Sequence, residues 1–232
     1  MWGLMEVVAI IAAGGRGQRM GMGTCKQFIK LKGTSIIART ISKFQQCPAV
    51  HGIIVGVTPG EEKFFHENVM PELGHDKLVE VVIGGAERQK TVWNCIQRLP
   101  KTCKIVLVHD GVRPFVSTRL IEQVVSETLK KGAVIPALEA EETTKRVLGY
   151  TVVETLNRKE IWLAQTPQGF KKDILVKAYL VAKKKGLRGT DDASLVEYLG
   201  ETVHVISGDK RNIKITTPAD LKLALCLLES EA

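Results

Sequence analysis

Several features that would place this sequence in a common class are absent or scarce. The 232 residues contain no apolar run long enough to cross a bilayer, and the N-terminus shows no basic segment followed by an apolar stretch and a cleavage site. We therefore expect neither a secretory signal nor a membrane partner. The five cysteines are odd in number, scattered and outside any C-x-x-C pattern, so neither a zinc site nor a disulfide framework is indicated. A reducing cytoplasm is the expected location.

Aromatic residues are also few, although the chain is strongly basic. It has three Trp, three Tyr and six Phe, with a formal net charge of +8. A basic chain can bind nucleic acid, an acidic membrane surface or small anions. No basic stretch is interleaved with aromatic residues, and the densest basic run, 183–185, is typical of a helix C-terminus, where cations complement the helix dipole. We therefore expect small anionic ligands and no nucleic acid.

The most informative segment lies near the N-terminus, where an apolar, β-branched run over 7–12 ends in a glycine cluster. Residues 12–20 read Ala-Ala-Gly-Gly-Arg-Gly-Gln-Arg-Met, and Lys26 follows. Glycines let backbone N–H groups approach a ligand, and Arg16, Arg19 and Lys26 add positive charge, so the segment suits the phosphates of a nucleotide. Neither the dinucleotide fingerprint nor the P-loop pattern is matched, and a turn that only reverses the chain is the alternative.

Strand-like runs alternate with segments of helical spacing along most of the chain. The strand-like runs are 7–12, 53–57, 79–83, 105–108 and 133–138, and the helical segments are 35–46, 87–99 and 117–131. A last helix is predicted to begin at Pro218, with Thr217 as its cap and Asp220 completing a capping box. The alternation predicts a single α/β domain over 1–232, with three layers and a mostly parallel sheet. Ligands of such sheets bind beyond the carboxyl ends of the strands.

One stretch interrupts this alternation. Polar residues from Glu139 onward lead to two short strands predicted on either side of Gly149, so a projecting β-hairpin arm is expected within residues 137–158. A two-stranded arm is marginally stable alone and needs a surface to pack against. A partner subunit would supply that surface, and we therefore expect a homodimer in which the hairpin is a dimerisation arm.

Polar residues cluster where two of the predicted strands end. The run over 79–83 ends in Gly84-Gly85, and a helix carrying Arg88 and Thr91 begins shortly afterwards. Such a helix start can bind a base edge, a ribose or a phosphate, and a tight strand–helix turn is the alternative.

The apolar strand over 105–108 is followed by His109, Asp110, Gly111 and, close behind, Arg113. A carboxylate at a strand end near a phosphate loop is typical of a Mg²⁺ ligand, since Mg²⁺ binds one or two carboxylates together with phosphate oxygens. Arg113 suits bidentate binding of a phosphate, and an Asp110–Arg113 pair that closes a turn is the alternative. His109 could act as a general base or a metal ligand, but a packed residue at the strand end is expected, because no second histidine lies at ligand spacing.

Two later segments are open to more than one interpretation. Thr190, before Asp191-Asp192, is either a functional residue or the cap of a helix. Lys214 is predicted to lie in a short alternating strand, where a lysine is either a solvated edge residue or a functional one.

Taken in order, these motifs resemble those of the 2-C-methyl-D-erythritol 4-phosphate cytidylyltransferase family over nearly the whole chain. The matching segments are 12–20, Lys26-Gln27-Phe28, Gly84-Gly85 with Arg88, Val108-His109-Asp110 with Arg113-Pro114, Thr143-Thr144-Lys145, Gln165-Thr166-Pro167-Gln168, Thr190-Asp191-Asp192-Ala193 and 212–218. The resemblance implies a Rossmann-like nucleotidyltransferase fold and a step of non-mevalonate isoprenoid synthesis. The substrate phosphate attacks the α-phosphate of CTP, pyrophosphate leaves, and CDP-methylerythritol forms. It further implies Mg²⁺, or a similar divalent cation, as the cofactor.

The resemblance also implies roles for individual residues. Arg19 and Lys26 would stabilise the charge that builds on the α-phosphate, and Arg158 and Lys214 would position the substrate phosphate. Asp110 would hold Mg²⁺ and the nucleotide. The other residues expected at the nucleotide are Ala12, Ala13, Gly14, Gly15, Gly17, Gly85, Arg88, Thr91 and Gly111. The residues expected to line the sugar-phosphate site are Arg113, Thr143, Thr166 and Thr190. In this family Thr143 and Arg158 lie on or beside the arm and reach across the dimer.

Three other functions are weighed against this one. A ribitol 5-phosphate cytidylyltransferase shares the fold and most nucleotide motifs, but segments 143–145 and 190–197 are more similar to the methylerythritol enzyme. A non-catalytic nucleotide-binding regulator is disfavoured, because Arg19, Lys26 and Asp110 are all present. A nucleic-acid-binding protein would show duplex affinity with a steep salt dependence.

Overall fold

The computed structural model describes residues 6–14, 25–74 and 77–230, and the elements follow the alternation predicted from the sequence. The strands are β1 Val7–Ala13, β2 Lys30–Leu31, β3 Thr34–Ser35, β4 Gly52–Val57, β5 Leu78–Ile83, β6 Ile105–Asp110, β7 Ala133–Glu139, β8 Lys145–Leu148, β9 Thr151–Thr155, β10 Trp162–Ala164, β11 Gln168–Lys171 and β12 His204–Ser207. The α-helices are α1 Ile36–Gln45, α2 Glu62–Phe64, α3 Arg88–Ile96, α4 Thr118–Lys131, α5 Lys172–Lys185, α6 Asp192–Tyr198 and α7 Pro218–Glu229. Short 3₁₀ turns lie at Lys26–Phe28, Met70–Glu72 and Arg158–Glu160, and a π turn lies at Phe65–Val69.

The central sheet runs in the order β10-β7-β11-β6-β1-β4-β5, and β12 also pairs with β7. Pairing is parallel between β6, β1, β4 and β5 and between β7 and β12, whereas β10 and β11 run antiparallel to their neighbours. The predicted mostly parallel sheet is therefore confirmed. Ala12 on β1 is in register with Asp110 on β6, so the ends of these two strands lie side by side.

Helices cover both faces of this sheet, because alternate strand residues point to opposite sides. Val7, Ala9 and Ile11 of β1 pack with α1 and α4, whereas Val8 and Ile10 pack with α3, α5 and α6. These strands are buried on both faces and read as continuous apolar runs, as expected for a parallel sheet in an α/β protein. This arrangement confirms the three predicted layers.

The predicted helix ends are also present where capping chemistry specifies them. Thr217 and Asp220 form the capping box at the start of α7, and α5 ends at Gly186, whose φ of +64° is left-handed. The cap of α6, by contrast, is Asp191, whose side chain accepts from the Ser194 N–H. The alternative interpretation of Thr190 as this cap is therefore wrong. Among the helices that the structure describes, none combines the length and apolar character that crossing a membrane requires.

The strand predicted around Lys214 is absent, since residues 212–216 form an extended loop without ladder pairing in the described structure. The Ile215 N–H donates to the Val112 carbonyl, and Ile215 and Ile213 pack with α7 residues such as Leu221. The alternation of apolar and polar residues therefore reflects packing against a helix and a neighbouring loop.

The β8–β9 hairpin forms a separate two-stranded sheet that turns at Gly149. Its residues are exposed on both faces, including the apolar Val147, Leu148, Tyr150 and Val152. Residues 137–139, at the start of the segment predicted as the arm, pair with β10 in the central sheet. The separate hairpin therefore begins after β7 has ended.

Candidate active site

A pocket of about 240 Å³ opens beside the carboxyl end of β6. This location agrees with the rule that ligands bind beyond the strand ends of such sheets. The lining residues are Arg88, Asp110, Arg113, Ala164, Gln165, Thr166, Gln168, Thr190, Asp191 and Lys214. The structure thus brings together six of the predicted site residues from positions far apart in the sequence.

Asp110, the last residue of β6, is the centre of a charge cluster. Its Oδ1 lies 3.0 Å from Arg88 Nε, and its Oδ2 lies 2.8 Å from Lys214 Nζ and 3.5 Å from Arg113 Nε. The Asp110 side chain is only 9% exposed, whereas that of Lys214 is 40% exposed. Lys214 is thus a functional candidate placed at the pocket by its loop. The Asp110–Arg113 pair, which was the alternative interpretation of these residues, is also present.

Burial alone would raise the pKa of the Asp110 carboxyl, but Arg88, Lys214 and Arg113 hold that pKa well below its usual range. Burial also disfavours the charged form of Arg113 and therefore lowers its pKa, although Asp110 opposes that effect. Asp110 is therefore ionised at any working pH, and three cationic side chains are arranged around it before any ligand arrives. Such preorganised charge suits the binding of a polyanion.

Arg88 contacts two buried carboxylates at once. Besides Asp110, its Nη1 lies 2.8 Å from Asp192 Oδ2, and Asp192 is fully buried at the start of α6. Burial acts to lower the pKa of Arg88, but Asp192 and Asp110 raise it above its ordinary value. The contact with Asp110 is a hydrogen bond from Nε, whereas the contact with Asp192 Oδ2 is an ion pair.

His109 is a packed residue, as predicted. Its Nε2 lies 3.1 Å from the Arg113 carbonyl oxygen, which can only accept, so Nε2 carries the proton. Its Nδ1 lies 3.0 Å from the Thr166 hydroxyl, which donates to it and accepts from the Asp110 N–H. Burial lowers the pKa of His109 to about 3, so the imidazole is neutral. Thr166 is therefore also buried, and its hydroxyl helps to align the end of β6.

The buried neutral imidazole predicts a pH-dependent stability. The unfolded chain binds a proton near the ordinary histidine pKa of 6.5, whereas folded His109 binds one only near pH 3. The unfolding free energy should therefore fall as the pH is lowered from about 6.5, by up to about 1.4 kcal/mol per pH unit. Urea unfolding between about pH 7.5 and pH 5 measures this slope. His109→Gln should flatten it, and His66→Gln, an exposed control, should leave it intact. A wild-type unfolding free energy that stays constant across this window would contradict the prediction.

Two glutamines that sequence reasoning did not assign hold the loops around the pocket. Gln168 Oε1 accepts from the N–H groups of Asp192 and Ala193, and its Nε2 donates to Asp191 Oδ2 at 2.6 Å. Gln165 exchanges hydrogen bonds with the backbone of Asp209. Both glutamines are buried beside the cis peptide bond between Thr166 and Pro167. The available signal was a pair of glutamines flanking Thr-Pro between apolar segments.

Asn212 is a third buried amide residue to which sequence reasoning gave no role, and it holds the loop that carries Lys214. Its side-chain Nδ2 donates to the Thr166 backbone carbonyl at 2.8 Å, and its backbone carbonyl accepts from Arg113 Nη1 at 2.7 Å. Asn212 is fully buried. Its position near the start of the last matching segment, 212–218, was the only sequence signal for it.

The described part of the N-terminal loop is also anchored. Gln27 is buried and donates to the Ala13 carbonyl at 2.8 Å, which ties the 3₁₀ turn beginning with Lys26 to the end of β1. Predicted site residues Gly15, Gly17 and Arg19 lie outside the described residues.

Several of the residues predicted to bind the nucleotide contribute to close packing between the strand ends. The Thr91 hydroxyl is fully buried, accepts from the Gly85 N–H and donates to the Glu87 carbonyl, so it shapes the loop before α3. A Cβ at Gly14 would lie 2.8 Å from the Thr91 hydroxyl. A Cβ at Gly111 would lie 2.7 Å from Ile37 Cδ1 and 3.2 Å from the Ala12 carbonyl. These contacts explain why glycine is found at both positions.

Two predicted residues lie away from this pocket within one chain. Arg158 donates to the Glu141 carbonyl at 2.9 Å and lines a second cavity of about 630 Å³ at the base of the hairpin, together with Trp162 and Lys210. Thr143 is exposed just before β8. Among the described residues, no cluster of three or more His, Cys, Asp or Glu side chains could hold a metal ion. A cation at Asp110 would therefore need ligand atoms from the substrate.

Comparison with known proteins gives a consistent result. The sequence profile of the 2-C-methyl-D-erythritol 4-phosphate cytidylyltransferase family matches residues 7–230. The enzyme of that name from Geobacillus thermodenitrificans is 43% identical, over 97% of this chain and 98% of its own length. A bifunctional enzyme IspD/IspF from Desulforudis audaxviator is 44% identical over 97% of this chain, which spans 57% of that longer protein. The crystal structure of the Thermus thermophilus enzyme superposes with a TM-score of 0.80 at 32% identity, covering 97% of this chain and 100% of the other.

Proposed function

The chain belongs to the 2-C-methyl-D-erythritol 4-phosphate cytidylyltransferase family, and from this premise we propose how its residues divide the work of the reaction. The enzyme transfers CMP from CTP to 2-C-methyl-D-erythritol 4-phosphate, in the non-mevalonate pathway to isoprenoid precursors. The observation that carries the proposal is the convergence of Arg88, Arg113 and Lys214 on Asp110 at the strand ends.

The chemistry requires charge stabilisation more than proton transfer. An oxygen of the substrate phosphate forms a bond to the α-phosphorus of CTP, and the bond from that phosphorus to the bridging oxygen of the β-phosphate breaks, releasing pyrophosphate. Because the nucleophile is already an anion, no general base is needed. The neutral, buried His109 is accordingly assigned a structural role. Catalysis then rests on positioning and on preorganised positive charge.

We assign the cations of the site to different phosphates. Lys26, tied to β1 through Gln27, and Arg19 stabilise the charge that develops at the α-phosphate. Lys214 and Arg113 bind the phosphate of the incoming substrate, and Arg88 contacts the nucleotide. Lys214 suits transfer from Asp110 to a phosphate oxygen, since its ammonium is compact, rotatable and partly exposed.

One property of Asp110 makes it a suitable ligand for a divalent cation. It is an ionised carboxylate on the pocket wall, and Mg²⁺ is commonly held by one carboxylate together with phosphate oxygens and water. We propose that Asp110 holds Mg²⁺ in the complex with CTP, while Lys214 moves to the phosphates. When bound, Mg²⁺ neutralises phosphate charge and helps to align the reacting groups.

We also propose a homodimer in the cytoplasm. The hairpin exposes an apolar surface made of Val147, Leu148, Tyr150 and Val152, which water disfavours unless a partner covers it. Within one chain Arg158 does not line the pocket around Asp110. The hairpin of a partner subunit could carry Arg158 and Thr143 to that pocket.

The first experiment measures pyrophosphate release from CTP and Mg²⁺ with methylerythritol 4-phosphate and ribitol 5-phosphate in parallel. Release with methylerythritol 4-phosphate only is the expected result. Release with ribitol 5-phosphate only would keep the chemistry and change the substrate assignment. Omitting Mg²⁺, with a chelator present, should abolish release, and undiminished release would refute the proposed cation.

Arg158→Ala should weaken use of the sugar phosphate more than binding of CTP. Losing one charge-assisted contact to a phosphate should raise KM for methylerythritol 4-phosphate by roughly tenfold or more, with KM for CTP little changed. Steady-state kinetics with each substrate varied in turn measures both constants. Arg119→Ala, on the exposed side of α4, is the matched control. Equal rises in both KM values would contradict the assignment.

The dimer predicts complementation between subunits that are impaired at different residues. Light scattering should show a dimer at micromolar concentration for the wild type and a monomer for the double variant Leu148→Asp/Val152→Asp. Leu129→Asp, at an exposed leucine on α4, should stay dimeric. If Arg158 serves the partner's site, mixing Arg158→Ala with Lys26→Ala subunits should restore up to about a quarter of wild-type activity, since each mixed dimer has one complete site. A wild-type monomer, or no recovery on mixing, would refute the arrangement.

A further inference from the structure

A line of buried contacts runs from the back of the domain to Asp110. The Tyr179 hydroxyl, on α5, donates a hydrogen bond of 2.5 Å to Asp192 Oδ1. The other oxygen of Asp192 lies 2.8 Å from Arg88 Nη1, and Arg88 Nε lies 3.0 Å from Asp110 Oδ1. Tyr179 and Asp192 are both buried and do not line the pocket around Asp110.

We propose that Tyr179 is a positioning residue, which acts through Asp192 to hold the Arg88 guanidinium in the orientation that receives CTP. The proposal rests on the assignment of Arg88 to the nucleotide made above. Neither Tyr179 nor Asp192 touches the reacting atoms in this arrangement. Their effect reaches the substrate only through Arg88, which lines the pocket with 26% of its side chain exposed.

The orientation of Arg88 depends on which groups bind the two oxygens of the Asp192 carboxylate. With Tyr179 bound to Oδ1, only Oδ2 is directed to Arg88, so the guanidinium is divided between Asp192 and Asp110. Without the hydroxyl, a buried carboxylate oxygen loses its donor, which is costly for a charged group. The Arg88 fork, which already lies 2.8 Å from the other oxygen, can replace that donor by binding the carboxylate bidentately. Arg88 would then turn toward Asp192 and away from Asp110.

Because the Tyr179 ring has its own packing contact, the positioning role of the hydroxyl can be tested separately from a general structural role of the residue. The Tyr179 ring is stacked on Trp93, with the ring centroids 6.0 Å apart and the planes 13° from parallel. Tyr179→Phe keeps this stacking and removes only the hydroxyl. Burial, with Asp192 close by, raises the pKa of Tyr179 well above its ordinary value, so the hydroxyl stays a donor throughout the working pH range.

The test is a double-mutant cycle measured by steady-state kinetics on the full chain. Tyr179→Phe should raise KM for CTP by about five- to tenfold, with KM for methylerythritol 4-phosphate and kcat within about twofold of wild type. Arg88→Lys keeps the charge but loses the fork, and it should also raise KM for CTP. In the Arg88→Lys background, Tyr179→Phe should cause no further rise, because its effect passes through the guanidinium. Tyr198→Phe, at an exposed tyrosine on α6, is the control and should change nothing.

The possible results distinguish the positioning role of Tyr179 from a structural role and from an error in the assignment of Arg88. A merely structural role would lower the melting temperature and the active fraction, and hence kcat, without moving either KM selectively. Unchanged KM for CTP in Tyr179→Phe, with a raised value in Arg88→Lys, overturns the positioning role and leaves the Arg88 assignment standing. Unchanged KM in both overturns the Arg88 assignment and the proposal with it. If Tyr179→Phe fails to fold, Asp192→Asn tests the same line, and a rise in KM for the sugar phosphate equal to that for CTP refutes it.

Discussion

Asp110→Asn is expected to lower kcat by roughly a thousandfold, the largest effect of a single substitution in this enzyme. Asparagine is nearly isosteric with aspartate and retains one acceptor oxygen, so the change removes charge more than shape. Arg88, Arg113 and Lys214 would then face one another around a neutral group. Arg88 would keep its contact with Asp192, whereas Arg113 and Lys214 would lose the carboxylate beside them. The proposed Mg²⁺ ligand would be lost in the same step. Pre-steady-state measurement of CMP transfer separates this loss from any change in product release.

The same substitution should also destabilise the fold. Removing the anion from a buried ionic cluster leaves uncompensated cations, which costs roughly 3 kcal/mol of unfolding free energy. Urea unfolding measures that cost, and assays below the unfolding transition show that the loss of kcat exceeds any loss of folded protein. Asp173→Asn, at an exposed aspartate in the first turn of α5, is the matched control. A kcat within tenfold of wild type in folded Asp110→Asn would remove Asp110 from the active site.

Lys26→Ala is expected to lower kcat by roughly a hundredfold or more while the fold stays intact. The buried hydrogen bond from Gln27 to the Ala13 carbonyl holds the 3₁₀ turn that begins with Lys26 against the end of β1, the strand that pairs with β6 and its Asp110. A fixed ammonium there stabilises charge as it develops on the α-phosphate, so its loss should appear in kcat more than in KM for CTP. Steady-state and single-turnover kinetics measure the two constants.

Two variants sharpen this prediction. Lys26→Arg keeps the charge with different geometry and should recover part of the lost kcat. Lys101→Ala removes one positive charge from an exposed turn and controls for the change in net charge. Turnover of Lys26→Ala equal to that of Lys101→Ala would show that the loop lysine is misassigned.

Local sequence patterns were sufficient to predict the α/β class and the mostly parallel sheet. Continuous apolar runs such as Val7–Ala13 specify strands buried on both faces, and helical spacing with caps such as Thr217 and stops such as Gly186 specifies the helices between them. These signals depend on residues within one or two turns of each other, which is why sequence reasoning can find them. The same locality explains the hairpin around Gly149, whose strands are adjacent in the chain.

Local pattern predicts the wrong structure where tertiary packing produces the same periodicity. The alternation around Lys214 predicted a strand, but Ile213 and Ile215 alternate because they pack with α7. The cap of α6 is Asp191 and not Thr190, since Gln168, distant in sequence, holds the Asp191 side chain and the first N–H groups of the helix. Neither contact can be read from neighbouring residues.

Local patterns and motifs were enough to predict the α/β class, the order of the main elements as far as the hairpin, and the family motifs at the strand ends. The fold had to be known before Lys214 and Arg88 could be placed at Asp110, Asp192 and Tyr179 behind Arg88, and Arg158 at a separate cavity. These ionic contacts and buried hydrogen bonds join residues from different elements, separated by 13 positions for Tyr179 and Asp192 and by about a hundred for Asp110 and Lys214. Such contacts depend on where the folded sheet carries each loop, which local periodicity does not encode.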